Sequence, residues 1–125
     1  MNTDYYFMQC CRALANTAAA KGESPVGAVI VKDDKLISAE IEAIRFAVEK
    51  LETNDLSDCI LFTTHEPCIM CSYAIRFHKI KKLVYQNTVK YLGGISSSMP
   101  LLTTNEVPPH WGKAPVIVHL IHIEQ

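Results

Sequence analysis

The sequence lacks any apolar run long enough to cross a membrane, and its N-terminus has neither the basic nor the apolar stretch of a signal peptide. It also lacks a strong charge of either sign, because 12 Lys and Arg residues against 13 Asp and Glu residues give a formal net charge of -1. A nearly neutral chain exerts no general attraction on nucleic acid or anionic lipid. These absences predict a cytoplasmic protein with no membrane partner.

Cysteine is present, but its pattern does not suit a disulfide framework. The chain has five cysteines, an odd number, and Cys10 and Cys11 are adjacent. Reduced thiols fit this pattern better, some of them packed in the core and some available to a metal ion. With 125 residues, of which 49% are hydrophobic, the chain is long enough for one domain with its own core.

Helical and strand patterns alternate along the chain, which is typical of an α/β domain. Helices are predicted over 3–20, 39–51 and 68–77, and strands over 26–32, 35–37, 59–64, 83–86 and 116–123. The segment 88–115 is rich in Ser, Thr, Gly and Pro and is long enough for a crossover, so the last two strands are predicted to be parallel. The sequence therefore predicts a single domain over 1–125, with a five-stranded mixed sheet and helices on both faces.

The connection between the second strand and the second helix is too short. Ser38 is a good N-cap for a helix that starts at Ala39, but Ile37 then ends a strand of only three residues. No residues are left to carry the chain from the sheet edge onto the sheet face, which normally takes a short loop. We therefore expect that a loop between Ile37 and Ala39 is missing, either through deletion or because this sequence omits it.

Two cysteines three positions apart form the strongest chemical signal. Pro67 precedes Cys68, and Cys71 follows one helical turn later, so both sulfurs can point toward one cation at the start of a helix. The helix dipole favours their thiolate form at that end. The alternative is that both are small buried hydrophobic side chains, but the proline before them and the helix after them favour a metal pair.

Three segments together resemble the cytidine deaminase-like superfamily. They are Pro25-Val26-Gly27-Ala28-Val29-Ile30-Val31-Lys32-Asp33, Ala39-Glu40-Ile41-Glu42-Ala43-Ile44-Arg45 and Thr63-Thr64-His65-Glu66-Pro67-Cys68-Ile69-Met70-Cys71. The resemblance is greatest to the branch of tRNA adenosine deaminases, guanine deaminases and related nucleoside deaminases. It implies a three-layer αβα fold and hydrolytic deamination of a nucleobase, a nucleoside or a tRNA adenosine. The residues of the cysteine motif, Pro67-Cys68-Ile69-Met70-Cys71, resemble the purine-acting members most.

The resemblance assigns roles to individual residues. Zinc deaminases carry H-x-E followed at a distance by P-C-x-x-C, and the glutamate moves protons without binding the metal. Glu40 therefore corresponds to the general acid/base, and Cys68 and Cys71 correspond to two ligands of Zn2+. Ser38 stands where the family has its third ligand, a histidine, and a hydroxyl is a poor replacement for imidazole.

Further expectations follow from the resemblance. The family's zinc supplies a hydroxide that attacks the carbon bearing the amino group. Ala39, Val26 and Pro67 are the expected substrate-binding residues. A homodimer is expected, with an apolar helix face at its interface formed by Ile69, Met70, Tyr73 and Phe77.

The alternative is a degenerate relative whose metal site is incomplete and whose role is that of a non-catalytic subunit. His65, beside the motif, could replace the missing ligand, but its place in an extended segment before Pro67 favours a position lining a pocket.

Overall fold

The computed structural model describes residues 3–38 and 43–121. Its helices are α1 (Thr3–Ala20), α2 (Ala43–Leu51), α3 (Ile69–Phe77) and a 3-10 turn (Pro109–Trp111), and its strands are β1 (Ala28–Lys32), β2 (Lys35–Ser38), β3 (Cys59–His65), β4 (Lys82–Asn87) and β5 (Val116–His119). The five strands form one sheet in the order β2-β1-β3-β4-β5.

The sheet is mixed, as the sequence predicts. β1 pairs antiparallel with both β2 and β3, whereas β3 pairs parallel with β4 and β4 pairs parallel with β5. The parallel pairing of β4 with β5 confirms the prediction that segment 88–115 is a crossover. The carboxyl ends of β3 and β4 consequently meet at one edge of the sheet, where α/β proteins usually bind their ligands.

Alternation along the strands separates two hydrophobic cores. In β1, Val29 and Val31 pack with α1 on one face, whereas Ile30 packs on the other face with α2 and α3. Helices therefore cover both faces, which confirms the three-layer αβα architecture. Within residues 3–38 and 43–121, no helix is both long enough and apolar enough to cross a membrane.

Helix α1 lies unusually close to the chain that enters β1. A Cβ atom at Gly27 would overlap the carbonyl oxygen of Cys11 and lie 2.9 Å from the backbone nitrogen of Ala15. Only glycine allows this close approach of backbone to backbone. The thiol of Cys11 is fully buried at this contact, and burial raises its pKa to about 12, so it serves as a small core side chain.

The predicted start of the second helix is wrong with respect to Ser38. This residue is the last one of β2, and its buried hydroxyl donates a hydrogen bond of 2.7 Å to the carbonyl oxygen of Ala43. An N-cap side chain instead accepts a hydrogen bond from a backbone N–H. Ala39 and Glu40 lie outside the described residues, so the convergence of the two helix starts stays a prediction. β5 is shorter than predicted and ends at His119.

Candidate active site

The two cysteines of the motif lie at the start of α3, at the carboxyl edge of the sheet. Cys68 is the N-cap residue with extended backbone angles (φ -74, ψ 177), and Cys71 follows within the first turn. The carbonyl oxygen of Cys68 accepts hydrogen bonds from the backbone N–H of Ser72 at 2.8 Å and from its hydroxyl at 2.7 Å. Both cysteines are solvent-exposed, so the motif presents two accessible sulfurs rather than core side chains.

The surroundings of the two thiols shift their pKa values in opposite directions. Hydrogen bonding from the backbone N–H of Cys71, supported by that of Met70, lowers the pKa of Cys68. Partial desolvation of its sulfur and the neighbouring Cys68 raise the pKa of Cys71 to about 11, although the residue as a whole is exposed. The first cysteine therefore reaches its metal-binding thiolate form more easily than the second.

The donor set is incomplete for a catalytic zinc, which takes three protein ligands and one water. Among residues 3–38 and 43–121, no group of three His, Cys, Asp or Glu side chains could hold a metal ion. The hydroxyl of Ser38 is engaged with the carbonyl oxygen of Ala43. His65 has its Nδ1 atom 2.8 Å from the hydroxyl oxygen of Thr64 and lines a cavity, as expected for a pocket residue. The described residues thus fit two zinc ligands and not the third.

A buried carboxylate behind the cysteines was missed by the sequence analysis. Glu66 is only 2% exposed, and its two oxygens accept backbone N–H bonds from Val89 (3.2 Å), Ile95 (2.9 Å) and Ser96 (2.7 Å). The hydroxyl of Ser96 adds a hydrogen bond of 2.8 Å. Burial by itself raises the pKa of Glu66, but these hydrogen bonds, with that of Ser96 foremost, outweigh it and lower the pKa.

This carboxylate holds the loop after β4 against the cysteine motif. Gly93 forms an isolated antiparallel bridge with Cys68, and the backbone N–H of Gly94 donates to the carbonyl oxygen of Pro67 at 2.8 Å. A Cβ atom at Gly93 would collide with the carboxylate of Glu66, so only glycine fits there. The adjacent Gly93-Gly94 pair is the sequence signal that could have indicated such a close approach. The loop thereby forms a fixed wall beside Cys68.

Two of the three expected substrate-binding residues, Val26 and Pro67, lie at the same edge of the sheet. Val26 precedes β1 and is 38% exposed. Pro67 is buried, and its carbonyl oxygen accepts a hydrogen bond from the backbone N–H of Gly94. Ala39 and Glu40 are outside the described residues.

An exposed apolar face covers the outer side of α3. Met70, Tyr73 and Phe77 are 80%, 52% and 42% exposed. The ring of Tyr73 stacks on Phe77 with centroids 6.2 Å apart, and Trp111 meets Tyr73 edge-on at 4.9 Å. The indole ring of Trp111, which is buried, thus covers part of this face, and much of the rest stays open to solvent.

Comparison with known proteins places this geometry in a family. Residues 1–87 match the family described as the cytidine and deoxycytidylate deaminase zinc-binding region. A tRNA-specific adenosine deaminase of Aquifex aeolicus is 38% identical over 112 aligned positions, which cover 78% of this chain and 74% of the relative. The 112 aligned positions exceed the number of residues in 78% of this 125-residue chain. Some of these positions therefore hold residues of the relative that have no counterpart here. A tRNA-specific adenosine deaminase of Streptococcus pyogenes serotype M1 is 34% identical over 113 aligned positions, which cover 78% of this chain and 66% of the relative.

Solved structures agree with the sequence relatives. A structure from a study of A-to-I editing by tRNA:A34 deaminases superimposes with a TM-score of 0.83 and 28% identity, covering 92% of this chain and 97% of that chain. The guanine deaminase of Bacillus subtilis has a TM-score of 0.66 and 35% identity, covering 70% of this chain and 66% of that chain. From its sheet order, its cysteine motif and these matches, the chain belongs to the cytidine and deoxycytidylate deaminase zinc-binding family, a family of hydrolytic deaminases.

Proposed function

We propose that this protein is a zinc-dependent deaminase that removes an amino group hydrolytically from a purine, either as a free base or nucleoside or as an adenosine of tRNA. The observation that carries the proposal is the pair of exposed thiols, Cys68 and Cys71, at the first turn of α3 in a deaminase fold. Zinc bound there would acidify a water molecule to the attacking hydroxide. Glu40 would move the proton from that water to the ring and then to the leaving ammonia.

The proposal requires a third ligand that this sequence does not contain. We infer that a histidine is supplied by a segment absent between Ile37 and Ala39. Ser38, which stands where the family has its histidine, supports this inference, as does the surplus of aligned positions in the Aquifex aeolicus relative. Such a segment would also close one wall of the substrate pocket.

The substrate class follows from the relatives and from the charge. The named relatives act on adenosine in tRNA or on guanine, which supports a purine substrate. A formal net charge of -1 offers little general attraction for a polyanion, which favours a small purine over tRNA. The cytoplasm, where both kinds of substrate occur, is the compartment that we propose.

Ammonia release tests this function directly. Two versions of the protein are assayed, the 125-residue chain and one with a histidine-bearing segment inserted before Ala39, against guanine, adenosine, cytidine, cytosine and a tRNA anticodon stem. We expect one zinc per chain and turnover of a purine substrate only in the version with the insertion. Zinc binding and turnover by the unaltered chain would refute the missing segment, and no turnover by either version would refute the deaminase assignment.

The second candidate is a non-catalytic subunit with an incomplete metal site. The observation in its favour is that residues 3–38 and 43–121 supply no third ligand. Metal analysis distinguishes the two candidates, since a version with the insertion that binds no zinc supports the subunit and not the enzyme.

We also propose that the protein forms a homodimer through the exposed face of α3. Met70, Tyr73 and Phe77 supply the apolar area that an interface between copies requires. Sizing by light scattering should give twice the mass of one chain, and Met70→Lys with Tyr73→Lys should shift it to one chain. The matched control, Leu36→Lys on β2, changes an exposed apolar residue away from this face and should leave the dimer intact. A monomer at high concentration would contradict the proposal.

A further inference from the structure

The thiols of Cys68 and Cys71 lie beside each other at the start of α3. The thiol of Cys71 donates a hydrogen bond to the sulfur of Cys68, so the two sulfurs are already neighbours. Both residues are solvent-exposed. One metal ion could therefore contact both sulfurs without any rearrangement of the helix.

These two sulfurs satisfy zinc only in part. Catalytic zinc takes three protein ligands and a water, and structural zinc takes four protein ligands. Among residues 3–38 and 43–121, no third His, Cys, Asp or Glu side chain completes such a group. Cu(I) is a soft monovalent ion that prefers thiolates, and two of them can complete its shell. The described donors thus fit Cu(I) better than they fit zinc.

The surroundings of the pair suit the charge of a copper complex. One Cu(I) with two thiolates has a net negative charge, whereas one Zn2+ with two thiolates is neutral. Backbone N–H groups of Met70 and Cys71 hydrogen-bond to the sulfur of Cys68 at the start of α3, where the helix dipole favours negative charge. The carboxylate of Glu66 behind the motif is itself compensated by three backbone N–H groups. The helix start therefore stabilises the charged complex more than the neutral one.

The backbone that carries Cys68 is fixed before any ion binds. Gly93 forms its bridge with Cys68, and the backbone N–H of Gly94 holds the carbonyl oxygen of Pro67 at 2.8 Å. The hydroxyl of Ser72 holds the carbonyl oxygen of Cys68 at 2.7 Å. Because this segment is already ordered, less conformational freedom is lost when both sulfurs bind one ion.

We propose that Cys68 and Cys71 form a two-coordinate site for a soft monovalent metal ion, Cu(I), which binds without a third protein ligand. The site uses the two residues that are assigned to zinc, but it requires neither the segment proposed before Ala39 nor the deaminase reaction. Copper bound there occupies the position proposed for zinc, so the two metals exclude each other.

Competition with a chelator tests the proposal. The reduced 125-residue chain is titrated without oxygen against the coloured Cu(I) complex of bicinchoninate, and the loss of colour reports the transfer of copper to the protein. We expect one Cu(I) per chain, and copper X-ray absorption should show two sulfur ligands and no nitrogen or oxygen ligand. A third protein ligand in the spectrum, or no transfer of copper, would overturn the proposal.

Variants locate the copper on the two motif thiols. Cys68→Ala and Cys71→Ala should each weaken Cu(I) binding by more than the roughly 10–100-fold that loss of an outer-shell partner typically costs, because each removes half of the shell. Cys71→Ser supplies a hard oxygen at nearly the same size and should bind as weakly as Cys71→Ala.

The matched control is Cys10→Ala, which removes a partly buried thiol next to Cys11 on α1 and should leave Cu(I) binding unchanged. Equal weakening in Cys10→Ala and in the motif variants would refute the site. Circular dichroism without metal confirms that every variant is folded.

Zinc separates this proposal from the proposed function. The version with the histidine-bearing segment should gain affinity for zinc, and Cu(I) should release that zinc and stop turnover. Copper held by Cys68 and Cys71 in a protein that never releases ammonia contradicts only the proposed function. Ammonia release by the version with the insertion, together with no copper binding by the unaltered chain, contradicts only the two-thiolate site.

Discussion

Glu40→Gln is expected to abolish deamination while zinc stays bound, in the version of the protein that carries the third ligand. The carboxylate moves protons and does not hold the metal, and loss of a positioned general acid/base typically lowers the rate by about 10²–10⁴-fold. Single-turnover ammonia release measures the loss, and metal analysis by mass spectrometry measures the zinc. The matched control is Glu42→Gln, two residues further on, which should retain activity.

Cys68→Ala and Cys71→Ala are each expected to lose bound zinc as well as activity, unlike Glu40→Gln. Each removes a thiolate ligand, so zinc, activity and part of the folding stability should be lost together, because metal binding is coupled to folding. Cys59→Ala is the control, since Cys59 is buried in the core and lies away from the motif. Wild-type turnover in Glu40→Gln would refute the proposed mechanism, and full zinc content in both motif variants would refute their role as ligands.

Glu66→Ala is expected to lower the free energy of unfolding by about 3 kcal/mol or more, because three backbone N–H groups would lose a charged acceptor. Glu66→Gln should also destabilise the protein, since its amide nitrogen would face a donor on one side. Urea denaturation at pH 7 measures both changes. The control is Glu106→Gln, whose exposed side chain lies further along the same connection.

The effect of Glu66 should depend on pH. Its pKa is lower in the folded protein than the ordinary value of 4.5. Its stabilising contribution is therefore fully present above about pH 4.5 and is lost as the pH falls through the lowered pKa. The difference in stability between the wild type and Glu66→Gln should shrink below pH 4.5. A difference that stays constant from pH 7 to pH 3 would contradict the role of the ionised carboxylate.

The fold could be predicted from the sequence because its signals are local. The continuous apolar runs of β1 and β3 and the proline before Cys68 each mark an element without reference to the rest of the chain. The length of segment 88–115 was enough to predict that β4 and β5 are parallel. Ser38 was misassigned because its hydroxyl suits an N-cap in sequence, while in three dimensions it binds a carbonyl oxygen five residues away.

The site was predictable only as far as its motif extends. Glu66 resembles any polar residue before a proline, because its partners lie 23 to 30 residues further along the chain. Arg76 is similar, since this helical arginine is only 1% exposed and donates to the carbonyl oxygens of Leu101 and Thr104, both at 2.9 Å. Such contacts depend on how a long crossover folds back, which no local pattern encodes.

The mixed sheet also sets an order of assembly. β1 and β2 are joined by the tight turn at Asp33 and Asp34, whereas β5 can pair with β4 only after residues 88–115 have closed a long loop. Closing a longer loop costs more chain entropy, so β5 is expected to pair later than the local hairpin of β1 and β2.

The ring of His119 stabilises the pairing of β5 with β4. It stacks on Tyr85 with centroids 4.5 Å apart, and its Nε2 donates a hydrogen bond to the carbonyl oxygen of Gln86 at 2.8 Å. When β5 lifts away, β4 becomes an open sheet edge at the strand that carries Gln86 and Asn87. The pairing of β5, from Val116 to His119, therefore covers backbone of β4 that this edge would otherwise expose.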